Sequence, residues 1–144
     1  MFLRAVLDKS PHKDVQGQAC LRLAQFLSAR LQRLDLVKGR PEMAKRYEVL
    51  FGKDYLEALE RRDRAEAVKE AEAVFERAAA QYGDVKLPYG GTVGERAKVE
   101  LFEIRHLSVG KEAPDIEGED QDGKPLKLSD YRGKVVLLDF WSQG

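Results

Sequence analysis

The chain is poor in the residues from which most reactive centres are built. Among its 144 residues there is one cysteine, Cys20, and two histidines. A single cysteine excludes an internal disulfide and any multi-cysteine metal site. His12 and His106 stand far apart in sequence, and no second histidine or cysteine lies at ligand spacing to either, so no metal centre is expected. A surplus of either charge is also lacking. Lys and Arg total 25, Asp and Glu total 25, and the net charge is zero, which gives no electrostatic reason for a nucleic-acid partner. No apolar run is long enough to span a bilayer. The opening Met1-Phe2-Leu3-Arg4-Ala5-Val6-Leu7-Asp8 is too short and too soon charged for a secretory leader. A cytoplasmic location follows if Met1 is the natural start, and a periplasmic or other extracytoplasmic one if an upstream signal preceded it.

What remains is an ordinary folding composition. Apolar residues make up 43% and charged residues 35%, enough for one core in a chain of this length. Residues 1–109 read as amphipathic helices joined by short turns. Residues 1–8 resemble the last turns of a helix. Ser10-Pro11 has the pattern of an N-cap followed by proline at the first helical position. The helix after it carries Val15, Ala19, Cys20, Leu23, Leu27, Leu31 and Leu34 at three- and four-residue steps. Gly39 ends the connection that follows it. Pro41 opens another helix, with Ala44, Tyr47, Leu50 and Phe51 on one side, and Gly52 stops it.

Three pairs have capping-box spacing: Asp54 with Glu57, Asp63 with Glu66, and Thr92 with Glu95. The second opens the most periodic helix, with Ala67, Val68, Ala71, Val74, Phe75, Ala78, Ala79 and Tyr82 on a broad apolar face closed by Gly83. The third opens a helix carrying Ala97, Leu101, Phe102, Ile104 and Leu107. The charged stretches 57–66 and 69–76 read as solvated helix faces. Cys20 shares a face with Leu23 and Leu27 and reads as a packed structural thiol. Tyr89-Gly90-Gly91-Thr92 with Gly94 is glycine-rich at a helix start, where an anion could sit. It lacks the Lys-Ser or Lys-Thr pair of a phosphate loop, so a tight capped turn is the better reading.

The character of the chain changes at Gly110. Ala113-Pro114 favours extended backbone, residues 115–120 read as a strand, and Asp122-Gly123 is a hairpin signal. Leu126 and Leu128 alternate with polar neighbours. Residues 129–133 form a capped turn ending in Gly133. Residues 135–141, Val-Val-Leu-Leu-Asp-Phe-Trp, are nearly continuously apolar and predict a strand buried on both faces. The fold class is therefore α+β: helical hairpins followed by the first strands of an α/β unit.

This last quarter resembles the redoxin branch of the thioredoxin-like superfamily, which includes the TlpA-like thiol-disulfide oxidoreductases and the alkyl hydroperoxide reductase (AhpC/TSA) type. The matching fingerprint is Pro114, Gly123, Gly133, Lys134, Asp139, Phe140 and Trp141, with Asp115 and residues 128–138 in the same order and spacing. The resemblance implies that residues 110–144 are the beginning of a thioredoxin-like domain, incomplete here, behind a helical module in residues 1–109. It also implies a nucleophilic cysteine, usually in a C-x-x-C pair, just after Gly144. Asp139 would then serve as a proton relay beneath that pair, and the chain as it stands would hold no catalytic residue and be inactive by itself. No cofactor is implied. A protein disulfide or redox partner is expected for the complete protein, and a peptide or protein partner for the helical module. The helical part loosely resembles tetratricopeptide helices at Ala71-x-x-x-Phe75-x-x-Ala78 and Ala19-x-x-x-Leu23-Ala24, without a strict period, and a plain bundle fits equally. Two alternatives stay open: a non-catalytic helical interaction module, and a parent that reduces peroxides in the manner of a peroxiredoxin.

Overall fold

Six α-helices and one short hairpin make up the described residues, 2–141, of the computed structural model. The helices are α1 (Phe2–Lys9), α2 (Lys13–Gly39), α3 (Pro41–Phe51), α4 (Lys53–Glu60), α5 (Arg64–Tyr82) and α6 (Val93–Phe102), the last continued by a π-helical turn over Glu103–Leu107. The hairpin pairs β1 (Glu117–Glu119) with β2 (Pro125–Lys127), antiparallel, with Gly118 opposite Leu126. A 3-10 turn over Leu128–Tyr131 follows it. Helical hairpins followed by first strands are thus the architecture seen.

The 27-residue α2 is the spine. Its first half sets Ala19, Cys20, Leu23, Ala24 and Leu27 against Ala71, Phe75, Ala78 and Tyr82 of α5 and Val93, Ala97 and Leu101 of α6. Leu7 of α1 and Ile104 close the same core. The second half carries Leu34 and Val37 to Leu56 and Leu59 of α4, a smaller cluster flanked by Ala44, Tyr47 and Tyr55. Phe75, Leu34 and Leu59 are among the largest fully buried side chains. Removing an aromatic side chain such as Phe75 from a site of this kind costs about 3–5 kcal/mol.

Local signals mostly set the helix ends. Asp63 caps α5 by accepting from Glu66 N–H at 2.9 Å. Thr92 and Glu95 form a complete capping box on α6, with Glu95 Oε2 accepting from Thr92 N–H at 2.8 Å. Asp54 does not cap: α4 starts at Lys53, straight after Gly52, so Asp54 lies inside the first turn. Ser10 is not the N-cap of α2 either. Its N–H is spent on Val6 C=O as the stop of α1, and α2 opens later, with His12 at the N-cap position. The apolar face read on α3 is only half used. Ala44 and Tyr47 touch the smaller core, but Leu50 and Phe51 stay largely exposed, Phe51 meeting only the rings of Tyr47 and of Tyr55 on α4, at 5.5 and 5.2 Å between centroids. Val15, Phe102 and Leu107 likewise face outward.

The turn from α5 to α6 depends on a glycine contact. A Cβ built on Gly94 would fall 2.9 Å from both Cα and O of Gly83, whose carbonyl accepts Gly94 N–H at 3.2 Å. Gly94→Ala should therefore destabilise the fold by about 1–3 kcal/mol through forced separation of backbone, lowering the melting temperature by several degrees. Gly39→Ala, with open space around its added Cβ, should be neutral or slightly stabilising. Equal melting temperatures for the two variants would contradict this packing.

Candidate functional site

The C-terminal segment is organised by two aspartates. Asp115 accepts three hydrogen bonds, from Ile116 N–H (3.1 Å), Ser129 N–H (2.8 Å) and the Ser129 hydroxyl (2.7 Å). The bonds from the Ser129 hydroxyl and then its amide hold the Asp115 carboxyl below its ordinary value. They tie the residue before β1 to the turn after β2, beside the Leu128 N–H to Ile116 C=O bond of 2.9 Å. Asp120 closes the other end. Its Oδ1 accepts from the N–H groups of Asp122 and Lys124, both at 2.9 Å. Gly123 supplies the positive φ of 76° that this turn needs. Lys127 reaches Glu117 across the hairpin at 2.6 Å, and Arg132 reaches Glu112 at 2.7 Å. Lys134 sits 5.7 Å from the Tyr131 ring centroid.

Beyond Gly133 the chain is irregular and unpaired. The buried strand expected at residues 135–141 is not formed: these residues carry no strand pairing, Phe140 is 83% exposed and Trp141 78%. A two-sided strand needs hydrogen-bonding neighbours at both edges and apolar layers on both faces, and none is supplied among the described residues. Asp139 lies exposed in this segment, and Pro114 is half-buried at its start. The expected position after Gly144 and residues 142–144 lie outside the described residues. Of the fingerprint residues, Pro114, Gly123, Gly133 and Lys134 fall within or beside the ordered hairpin and turn, whereas Asp139, Phe140 and Trp141 are not brought against them.

Cys20 belongs to the helical core and not to this segment. It is fully buried between α2 and α5, with its Sγ 3.7 Å from Val74 C=O. Burial pushes the thiol above its ordinary value, against a smaller opposite pull from Arg77. His12 is at the start of α2, and His106 stacks on Phe102 at 4.8 Å. The glycine-rich start of α6 is occupied by its own Glu95 carboxylate, so the capped-turn reading holds there. Among the described residues no His, Cys, Asp or Glu group is grouped to hold a metal ion, and no helix is long and apolar enough to cross a membrane. The roles of Asp115 and Asp120 were not read from the sequence. The available signal was the spacing of Asp120 to Gly123, an aspartate ahead of a glycine turn; the Asp115–Ser129 link joins residues too distant for any local rule.

Comparison with known proteins places the segment in its class. Residues 109–144 match the model of the AhpC/TSA family, and this part of the chain is redoxin-like, of the thioredoxin-like type. Among curated proteins the segment is similar to thiol-disulfide oxidoreductase ResA of Bacillus thuringiensis subsp. konkukian (strain 97-27), 46% identical over 35 residues, which is 24% of this chain and 20% of the relative. ResA of Bacillus anthracis matches with the same identity and coverage. ResA of Geobacillus thermodenitrificans (strain NG80-2) is 49% identical over the same length and shares. The chain thus covers 20% of the length of these relatives. No solved structure gives a significant match.

The Asp115 link makes a pH-dependent order in the hairpin. Because its carboxyl is held low, its stabilisation is complete above the ordinary value of 3.8 and is lost as pH falls through the lower folded value. The protection factor of the Ser129 amide, its exchange relative to an unfolded peptide at the same pH, should therefore fall on acidification, and Asp115→Ala should give that low protection already at neutral pH. Unchanged Ser129 exchange in the variant would refute the link.

Proposed function

We propose that residues 110–144 open a redoxin-type thiol-disulfide oxidoreductase unit and that residues 1–109 form a separate helical module ahead of it. The observation that carries this reading is the matched segment itself: residues 109–144 match the family model, and the first part of that match is a hairpin and turn held by Asp115, Asp120 and Gly123. In this reading the complete unit supplies a cysteine beyond Gly144. Its thiolate attacks one sulfur of a substrate protein's disulfide, a mixed disulfide forms, and the other substrate sulfur leaves as thiolate; a second cysteine then resolves the mixed disulfide, becoming oxidised as the substrate is fully reduced. Asp139 would accept the proton from that second cysteine once the strand carrying it is buried, since burial raises a carboxyl toward the working pH.

This 144-residue chain, by contrast, is proposed to be inactive in disulfide exchange. Its sole thiol is buried and its pKa raised, which suppresses the thiolate that such chemistry needs. The exposed apolar residues Val49, Leu50 and Phe51 of α3 favour the second reading, in which the helical module acts as a non-catalytic binding unit. The AhpC/TSA match keeps peroxide reduction as the enzymatic neighbour of the first.

Reduction of insulin by dithiothreitol should run no faster with the chain than without it, and native Cys20 should react with a thiol reagent only at the rate of unfolding. Catalysed turnover, or immediate labelling of Cys20, would overturn the inactivity. In a longer chain that continues into a C-x-x-C pair, Asp139→Asn should slow disulfide exchange and shift its pH profile. An unmoved profile would remove Asp139 from the proton path while leaving the class untouched.

A further inference from the structure

The longest exposed apolar run among the described residues is 135–141. Val135 and Leu137 are almost wholly exposed, Phe140 and Trp141 largely so, and Val136 and Leu138 about half. Asp139 is the only charge in the run, which holds neither proline nor glycine. Valine and aromatic residues with so little charge favour a strand, and a strand of this composition left exposed is a template for another chain. No N–H or C=O group of the run makes a backbone hydrogen bond among the described residues.

Side chains alternate along a strand. One face of the run then carries Val136, Leu138 and Phe140 and is wholly apolar, while Asp139 falls on the other with Val135, Leu137 and Trp141. Parallel pairing of two copies in register sets the Asp139 carboxylates directly opposite each other, where like charges are destabilising. Antiparallel pairing about Leu138 sets Leu138 opposite its own copy, Val136 opposite Phe140 and Asp139 opposite Leu137. The two Asp139 residues are then diagonal neighbours, about 7–8 Å apart. The ribbon so formed has one wholly apolar face, which two ribbons bury by stacking about 10 Å apart. Phe140 and Trp141, at 83% and 78% exposure, hold roughly 120–200 Å² each, and the aliphatic side chains of the run add a comparable area. Two copies therefore present about 800–1,500 Å² of apolar surface, the scale of the about 1,000 Å² that a specific interface needs.

We infer that residues 135–141 are a self-association surface, through which two copies of this chain pair antiparallel about Leu138 and the resulting ribbons stack on their Val136, Leu138 and Phe140 face. Further copies supply the hydrogen-bonding neighbour and the apolar layer that a strand here requires and a single copy does not provide. No thiol takes part, so the association stands or falls separately from the redoxin reading. The two compete for the same residues: burial of this run within one chain, as the proposed unit requires, removes the surface.

Sedimentation velocity of the 144-residue chain tests this. It should show dimers and tetramers that dissociate on dilution. Leu138→Lys sets two ammonium groups opposite each other and should raise the dissociation midpoint about tenfold or more, whereas Leu50→Lys on α3 should leave it in place. Mild oxidation with copper–phenanthroline then locates the two-fold axis. Leu138→Cys should give a disulfide-linked dimer on a non-reducing gel. Val135→Cys should not, because antiparallel pairing holds it about 20 Å from its own copy, and neither should the parent chain, whose Cys20 is buried. A monomer at every concentration, association indifferent to Leu138→Lys, or equal crosslinking at positions 135 and 138 would each overturn the inference.

Discussion

The packing of α5 along the first half of α2 is the contact on which the rest of the structure depends. Phe75 is buried in one cluster with Cys20, Ala24 and the α6 residues Val93 and Ala97, and small residues, Ala19 and Ala24 on α2 and Ala71 and Ala78 on α5, line that cluster. Gly17 belongs to this seam: a Cβ there would meet Tyr82 Cβ and Val85 Cγ2 at 3.0 Å. The same seam determines the chemistry of the only thiol. Close packing excludes water from Cys20 and disfavours its thiolate. Tight packing and a raised thiol pKa therefore have one cause.

Ion pairs arrange the outside of this bundle. Arg105 reaches both Glu72 and Glu76 of α5, and Glu70 is shared by Arg4 and Arg62. Arg64 holds Asp35 through two bonds, at 2.6 and 2.9 Å. These join residues far apart in sequence, where the charge stretches 57–66 and 69–76 suggested only local pairs. Local pairs exist, such as Lys53 and Arg61 with Glu57. The long-range ones connect α1, α2 and the π-helical turn to α5 and so bear on how the helices are placed, although each exposed pair is worth only about 0–1 kcal/mol.

Much of the helical part was legible, because amphipathic periodicity and capping act within a few residues. Pro41, Gly52, Asp63, Gly83 and Thr92 mark real boundaries, whereas Gly39 ends no connection, because α2 continues through it. The failures have physical reasons of equal clarity. Ser10 and Asp54 have capping chemistry, but Ser10 closes the end of α1, and α4 starts at Lys53, which places Asp54 inside its first turn. Leu50 and Phe51 have the right spacing for a buried face, but burial requires a partner surface that periodicity does not specify. In the candidate site the turn at Asp122-Gly123 was readable from its residue types. The bond from Ser129 to Asp115 was not, because it closes a loop between residues 14 apart in sequence.

By itself the sequence determined the helical character of residues 1–109, the switch to extended structure at Gly110, the redoxin-like class of the last segment, and the presence of a single thiol. Those properties follow from short-range dihedral preference, side-chain periodicity and residue identity. Tertiary structure alone decided that Cys20 is sealed between α2 and α5, that α3 leaves apolar residues uncovered, and that the apolar run 135–141 lies unpaired. Burial and strand pairing belong to two surfaces at once, and a local pattern describes only one of them.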